Sequence, residues 1–146
     1  MDHTQYISHN LTALKQILLA STSETDGQKL IQEILKSLRT EIGMDVAFIA
    51  EFSEGKRVFR YIDASEGSPP VKPGDGDLIE HTYCQRVIDG QLPDIIFDIG
   101  SLPPEEQLAV AEDYKIKSYL CVPITFEDGR IYGSLGCIGH QPNWQI

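Results

Sequence analysis

The last third of the chain constrains its fold more than any other segment. There IKSYLCVPITF (residues 116–126) and RIYGSLGCIGH (130–140) are joined through Glu127-Asp128-Gly129-Arg130. Two apolar runs rich in β-branched and aromatic residues, linked by Asp-Gly, form the strongest short-range signal for an antiparallel hairpin. A second pair lies upstream. VAFIAEF (46–52) is a near-continuous apolar run, the kind a central strand covered on both faces carries. Ser53-Glu54-Gly55-Lys56 reads as a tight turn, and RVFRYIDA (57–64) as the returning strand. Residues 93–98, PDIIFD, add a short strand.

The remaining periodicity is helical. Ile7, Leu11, Leu14, Leu18 and Leu19 predict a first amphipathic helix over 4–20. Thr25-Asp26-Gly27-Gln28 matches a capping box. It opens a second helix whose buried stripe, Leu30, Ile31, Ile34, Leu35, Leu38 and Ile42, ends at Gly43. Residues 65–76 hold three prolines and three glycines, an irregular surface loop. Asp77 is expected to cap a third helix running through HTYCQRVID to Gly90, and Pro103-Pro104-Glu105-Glu106 to start a fourth. Helix, helix, strand, strand, helix, strand, helix, strand, strand is the order of an α+β domain.

Composition removes several classes of function. The 146 residues are 41% hydrophobic and 23% charged, a globular balance for one domain. Twelve basic residues against 22 acidic ones give a net charge of −10, which repels phosphate backbones and anionic lipid heads; neither nucleic acid nor membrane is an expected partner. No stretch approaches about 18 consecutive apolar residues. The first thirty residues lack a signal peptide's compact apolar core, so a cytoplasmic location is expected. Cys84, Cys121 and Cys137 are three and widely spaced, which points to reduced thiols rather than a disulfide framework. His3, His9, His81 and His140 show no ligand spacing with one another or with cysteine, so no metal is expected.

The order and spacing of certain residues resemble the GAF domain family, over roughly residues 25–140. These are Tyr83-Cys84 on a helix, Asp98 ending a strand, Val122-Pro123-Ile124, the Asp128-Gly129 hairpin, and Gly133-Ser134-Leu135. The resemblance implies a PAS-related fold: a central antiparallel sheet of five or six strands, terminal helices on one face, and a ligand pocket under helices and loops on the other. The Tyr-Cys-x-x-Val subtype further implies a bacterial signalling protein whose output domain is a histidine kinase, a diguanylate cyclase or a cyclic di-guanylate phosphodiesterase. Family members continue into a further helix after the last strand, whereas this sequence stops at Trp144-Gln145-Ile146. A single domain cut from a longer protein, without that helix, is the expectation. The N-terminal helices, with Leu11, Leu14 and Leu18 taken as an exposed apolar stripe, are expected to form a homodimer seam.

The family's chemical versions are separable position by position. Bilin photoreceptors attach their chromophore through a cysteine whose position falls near Glu106, and residues 85–120 contain no cysteine. Free methionine-sulfoxide reductases need a catalytic thiolate whose position falls near Glu112, and a carboxylate does not replace it. The Asn-Lys-x-x-x-Phe signature of cyclic-nucleotide binders is missing: the two asparagines, Asn10 and Asn143, are not followed by lysine. What remains is a non-enzymatic sensory domain for an unidentified small molecule, with a ligand-free dimerisation and relay module as the alternative. On the strand from Ile116, Lys117, Tyr119, Cys121 and Pro123 alternate with the plain core residues Ser118, Leu120, Val122 and Ile124. The first set is expected to face the pocket. Tyr83, Cys84, Val87, Phe97, Asp98, Tyr114, Tyr119 and Cys121 are the candidate lining residues. For Phe97 and Asp98 the competing reading is core packing and a turn cap.

Overall fold

A computed structural model describes residues 3–18 and 25–146. Its elements are α1 (His3–Leu18), α2 (Thr25–Ile42), β1 (Val46–Ser53), β2 (Lys56–Ala64), β3 (Gly76–Leu78), α3 (Tyr83–Ile88), β4 (Ile95–Ile96), α4 (Ala109–Asp113), β5 (Ser118–Thr125) and β6 (Ile131–Gly139). The strands form one antiparallel sheet in the order β3-β2-β1-β6-β5-β4. The fold is α+β, as the element order predicts. The capping box at the start of α2 falls on side chains outside the described residues.

Both faces of the sheet are covered, which is why β1 and β5 read as almost unbroken apolar runs. On one face α1 and α2 bring Leu14, Ile31, Leu35 and Leu38 against Ala47, Ile49, Leu120, Ile124, Leu135 and Cys137. On the other, α3, α4 and the connecting segments cover Phe48, Phe59, Ile96, Tyr119, Cys121 and Ile138. The alternation read on β5 therefore holds: Leu120 and Ile124 go to the helical face, Tyr119 and Cys121 to the opposite one. Strand β2 needs a correction to simple alternation. Its register against β1 pairs Ile49 with Tyr61 but Ala50 with Phe59, leaving Arg60 as the extra residue of a bulge. Arg57 and Phe59 consequently face α3, while Tyr61 faces the N-terminal helices.

Three expectations change. Asp77 does not cap a helix but sits in β3, paired with Arg57 on β2. The cap of α3 is Thr82, extended at φ −113° and ψ 152°, whose side chain accepts from Gln85 N. The segment after Pro103 breaks into a 3-10 turn over Pro104–Glu106 and then the separate α4, because Gln107 and Leu108 leave helical geometry. Leu14 is fully buried within its own chain and Leu11 is half-buried against the same core. The stripe proposed as a dimer seam is thus the contact of α1 with the rest of the domain. The side chain of Leu18 lies outside the described residues.

Candidate functional site

Helix α3 is too short to be stable by propensity, at six residues. Its position comes from its ends and its buried face. Thr82 Oγ1 accepts from Gln85 N at 3.4 Å and donates to Ile79 O at 2.7 Å, fixing the first turn. That places Tyr83 and Cys84, both fully buried, directly on the sheet. Beneath them β5 presents Tyr119 and Cys121, and β6 presents Ser134, all fully buried.

These groups interlock. Cys84 Sγ lies 2.9 Å from Tyr119 Oη and 3.2 Å from Ser134 Oγ, and Cys121 is buried in the same cluster. The Tyr83 ring leans on that of Tyr119 with centroids 5.6 Å apart. Tyr83 Oη donates to Glu106 O at 2.9 Å and accepts from Leu108 N at 3.2 Å, which ties the 104–108 segment over the cluster.

On the same face of the sheet stands Arg57, the largest fully buried side chain among the described residues. One guanidinium nitrogen donates to Asp77 Oδ2 at 2.5 Å, and Tyr114 Oη donates to the same oxygen at 2.8 Å. The guanidinium carbon lies 4.4 Å from the Phe59 ring centroid and 5.8 Å from those of Phe48 and Tyr114, a cation held in an aromatic box. Among the described residues, Arg57 Nε is the buried side-chain nitrogen left without a hydrogen-bond partner.

The electrostatics follow from this arrangement. Three donors around its sulfur, Cys121 first and then Ser134 and Tyr119, together with the Arg57 charge, bring the Cys84 thiol down to about 6 against the desolvation that opposes them. Cys121 moves the other way, its proton held by the bond to Cys84 and by burial. Tyr119 is raised by burial first and by the neighbouring Cys84 second. Cys137, on the helical face, is pushed up to about 12 by burial.

Of the eight residues expected to line a pocket, Tyr83, Cys84, Tyr114, Tyr119 and Cys121 come together here, and Val87 packs against the same cluster. Phe97 and Asp98 stand apart. Phe97 is exposed and stacks on Trp144 with centroids 5.7 Å apart, so it is not core either. Asp98 caps the 3-10 turn that follows it, accepting from Gly100 N at 3.0 Å. Sequence reasoning missed Arg57, Asp77 and Ser134. The available signal was the spacing of Arg57 and Phe59, two residues apart on one strand and so on one face. Beside the cluster a surface groove of about 740 Å³ opens between the 99–101 turn, α4 and Lys117; none of the eight residues lines it. Glu106, near the bilin attachment position, is ion-paired to Arg86 at 3.2 Å. No three His, Cys, Asp or Glu side chains among the described residues converge as a metal ion requires.

Known structures share this architecture. The GAF domain of Thermosynechococcus elongatus PixJ, solved in its blue-light absorbing form, is 17% identical and superposes with a TM-score of 0.62, covering 85% of this chain and 79% of that one. The chromophore-binding domain of the bacteriophytochrome RpBphP3 from R. palustris is 15% identical with a TM-score of 0.63, over 99% of this chain and 56% of that one. A further solved GAF domain is 11% identical with a TM-score of 0.62, over 100% of this chain and 79% of that one. At these identities the likeness is one of fold. No curated protein sequence matches the chain. The family model for the GAF domain matches residues 26–145, and the chain belongs to that family of sensory domains.

Proposed function

We propose that this domain is the small-molecule-binding sensory input of a bacterial signal-transduction protein, located in the cytoplasm and not catalytic by itself. Its output domain would be a histidine kinase, a diguanylate cyclase or a cyclic di-guanylate phosphodiesterase in the same longer chain. The observation that carries this reading is the polar interior beneath α3. An unpartnered buried N–H costs on the order of 1–3 kcal/mol, so Arg57 Nε, within the box of Phe48, Phe59 and Tyr114, is a place where a ligand's acceptor gains more than it loses. Bilin attachment and methionine-sulfoxide reduction are disfavoured by Glu106 and Glu112 at the positions where those chemistries need cysteine.

One observation favours a second reading. Tyr83 and Tyr119 are fully buried and in contact, filling the space a ligand would take. A domain of that kind relays signals through dimer contacts without a ligand. Homodimerisation belongs to both readings, on a surface other than the Leu11–Leu14 face; Leu30, read in the sequence as part of the buried stripe of α2 but 45% exposed, is one apolar side chain it could use. Native mass spectrometry with an absorption spectrum, on protein purified without refolding, separates the two. A stoichiometric extra mass released on denaturation is the expected result. A bare polypeptide mass at dimer stoichiometry supports the relay module instead.

A further inference from the structure

We propose that the Asp77 side chain is a built-in stand-in for the carboxylate of a small organic acid, which displaces it from the buried cation Arg57. The inference deepens the ligand-binding reading and rests on it. Arginine grips a carboxylate with two parallel N–H bonds, and one of its two-donor edges is Nε together with Nη2. In this protein that edge is half used. Nη2 donates to Asp77 Oδ2 at 2.5 Å, while Nε, on the same edge, is buried without a partner. The oxygen that Asp77 offers is also shared, since Tyr114 Oη donates to it at 2.8 Å. Asp77 is held directly opposite Arg57 by the register of β3 on β2, and from there its short side chain meets one corner of the guanidinium. A free carboxylate carries no such tether. It turns to face the whole edge and satisfies both donors.

The two exposures give the stand-in a way out. The Arg57 side chain is 1% exposed and that of Asp77 23%, so water already reaches the carboxylate and a ligand arrives by the same path. Asp77 then turns to solvent, where an ion is cheap to hold. The strand that carries it is the edge strand β3, three residues long and paired to β2 alone. Exchanging one carboxylate for another keeps an anion beside the buried cation, which avoids the cost of leaving that charge uncompensated. The same balance selects the ligand: one guanidinium matches a planar, singly charged acid, not a tetrahedral dianion. The rings of Phe48, Phe59 and Tyr114 around the guanidinium suit an apolar or aromatic body behind the carboxylate. Two states follow. With Asp77 in place, Tyr114, just after α4, is tied to β3; with the ligand in place that tie is released. A ligand that binds one of two such states is what a sensor requires.

The test is titration of the folded wild-type protein with benzoate, phenylacetate and isovalerate, each beside its amide, and with inorganic phosphate, all at matched ionic strength. The Arg57 Nε–H signal in proton–nitrogen correlation spectra reads the site directly, and a thermal scan reads stability. At least one carboxylate is expected to move that signal saturably and to raise the unfolding midpoint, with the amides and phosphate doing neither. Asp77→Asn keeps the size of the side chain and an acceptor for Tyr114 but removes the competing charge. The carboxylate that binds wild type should bind this variant at least about tenfold tighter. Unchanged or weaker binding by a folded Asp77→Asn overturns the displacement, and so does an amide or phosphate that binds wild type as well as the carboxylate does. If the variant fails to fold, the wild-type titrations decide alone. An Nε–H signal that ignores all three carboxylates also overturns the proposal, and the native mass then separates it from the ligand-binding reading. A neutral compound released on denaturation leaves that reading standing, whereas a bare polypeptide removes both.

Discussion

Arg57 carries a full positive charge into the sheet with 1% of its side chain exposed, whereas Asp77 keeps 23% of its own. That asymmetry decides what each truncation does. Asp77→Ala strips the buried guanidinium of its counter-ion and removes the acceptor of Tyr114, so a loss of about 3–5 kcal/mol is expected. Arg57→Met instead leaves a carboxylate that water still reaches, and puts a flexible apolar chain between Phe48, Phe59 and Tyr114. Its loss should be clearly smaller. Urea unfolding of both variants gives the order, and Arg57→Met proving the more damaging would mean that the cation, not its compensation, holds this interior together. At this scale the sequence was half legible. Tyr119 and Cys121 could be assigned to the site by counting along β5, because strand alternation is a backbone property. For Arg57 the spacing gave only a face shared with Phe59; the bulge at Arg60, which nothing local announces, puts Tyr61 on the opposite face and hides which side of β2 is which.

The elements that were easiest to foresee are those whose stability is local. Glu54 and Gly55 both take positive φ, 52° and 77°, the turn that suits a two-residue hairpin, and Gly129 takes 89° after Asp128 at the other hairpin. Helix α2 closes where Gly43 adopts φ 76°. The elements around the site were harder because tertiary contacts define them. Asp77 has the composition of a cap, yet Arg57 draws it into a three-residue edge strand and passes the capping role to Thr82. Thr82→Ala should therefore cost about 1–2 kcal/mol, at the upper end for a cap, since a fully buried hydroxyl with two backbone partners is lost. Thr82→Ser keeps both bonds and should stay within about 1 kcal/mol of wild type. Thermal unfolding of the pair checks this. Equal losses in both variants would show that the methyl group, not the hydroxyl, positions α3.

At the scale of the whole molecule, one sheet separates two interiors of different character. The helical side is largely apolar, with the Cys137 thiol and the Ser118 hydroxyl among its buried polar groups, while the α3 side mixes aromatic rings with thiols, hydroxyls and an ion pair. The strands that divide them are tightly keyed: a Cβ at Gly136 would lie 2.1 Å from the Phe48 ring, so that ring can lie across β6 only because the position is glycine. The apolar side is where the stability of the domain resides, and α1 is part of it. Leu14 is closed to solvent within its own chain, in one core cluster with Leu35, Leu38 and Ile124. Leu14→Ala should consequently lower unfolding stability by about 2–5 kcal/mol. The loss should be the same at low and high protein concentration, and the oligomeric mass should not change. A seam residue behaves differently. Its truncation would leave the unfolding of the protomer nearly untouched, shift a dimer toward monomer, and make the apparent midpoint depend on concentration. Urea unfolding across a range of protein concentrations, read beside the mass in solution, distinguishes the two. A concentration-dependent midpoint in the variant alone would return α1 to the dimer interface.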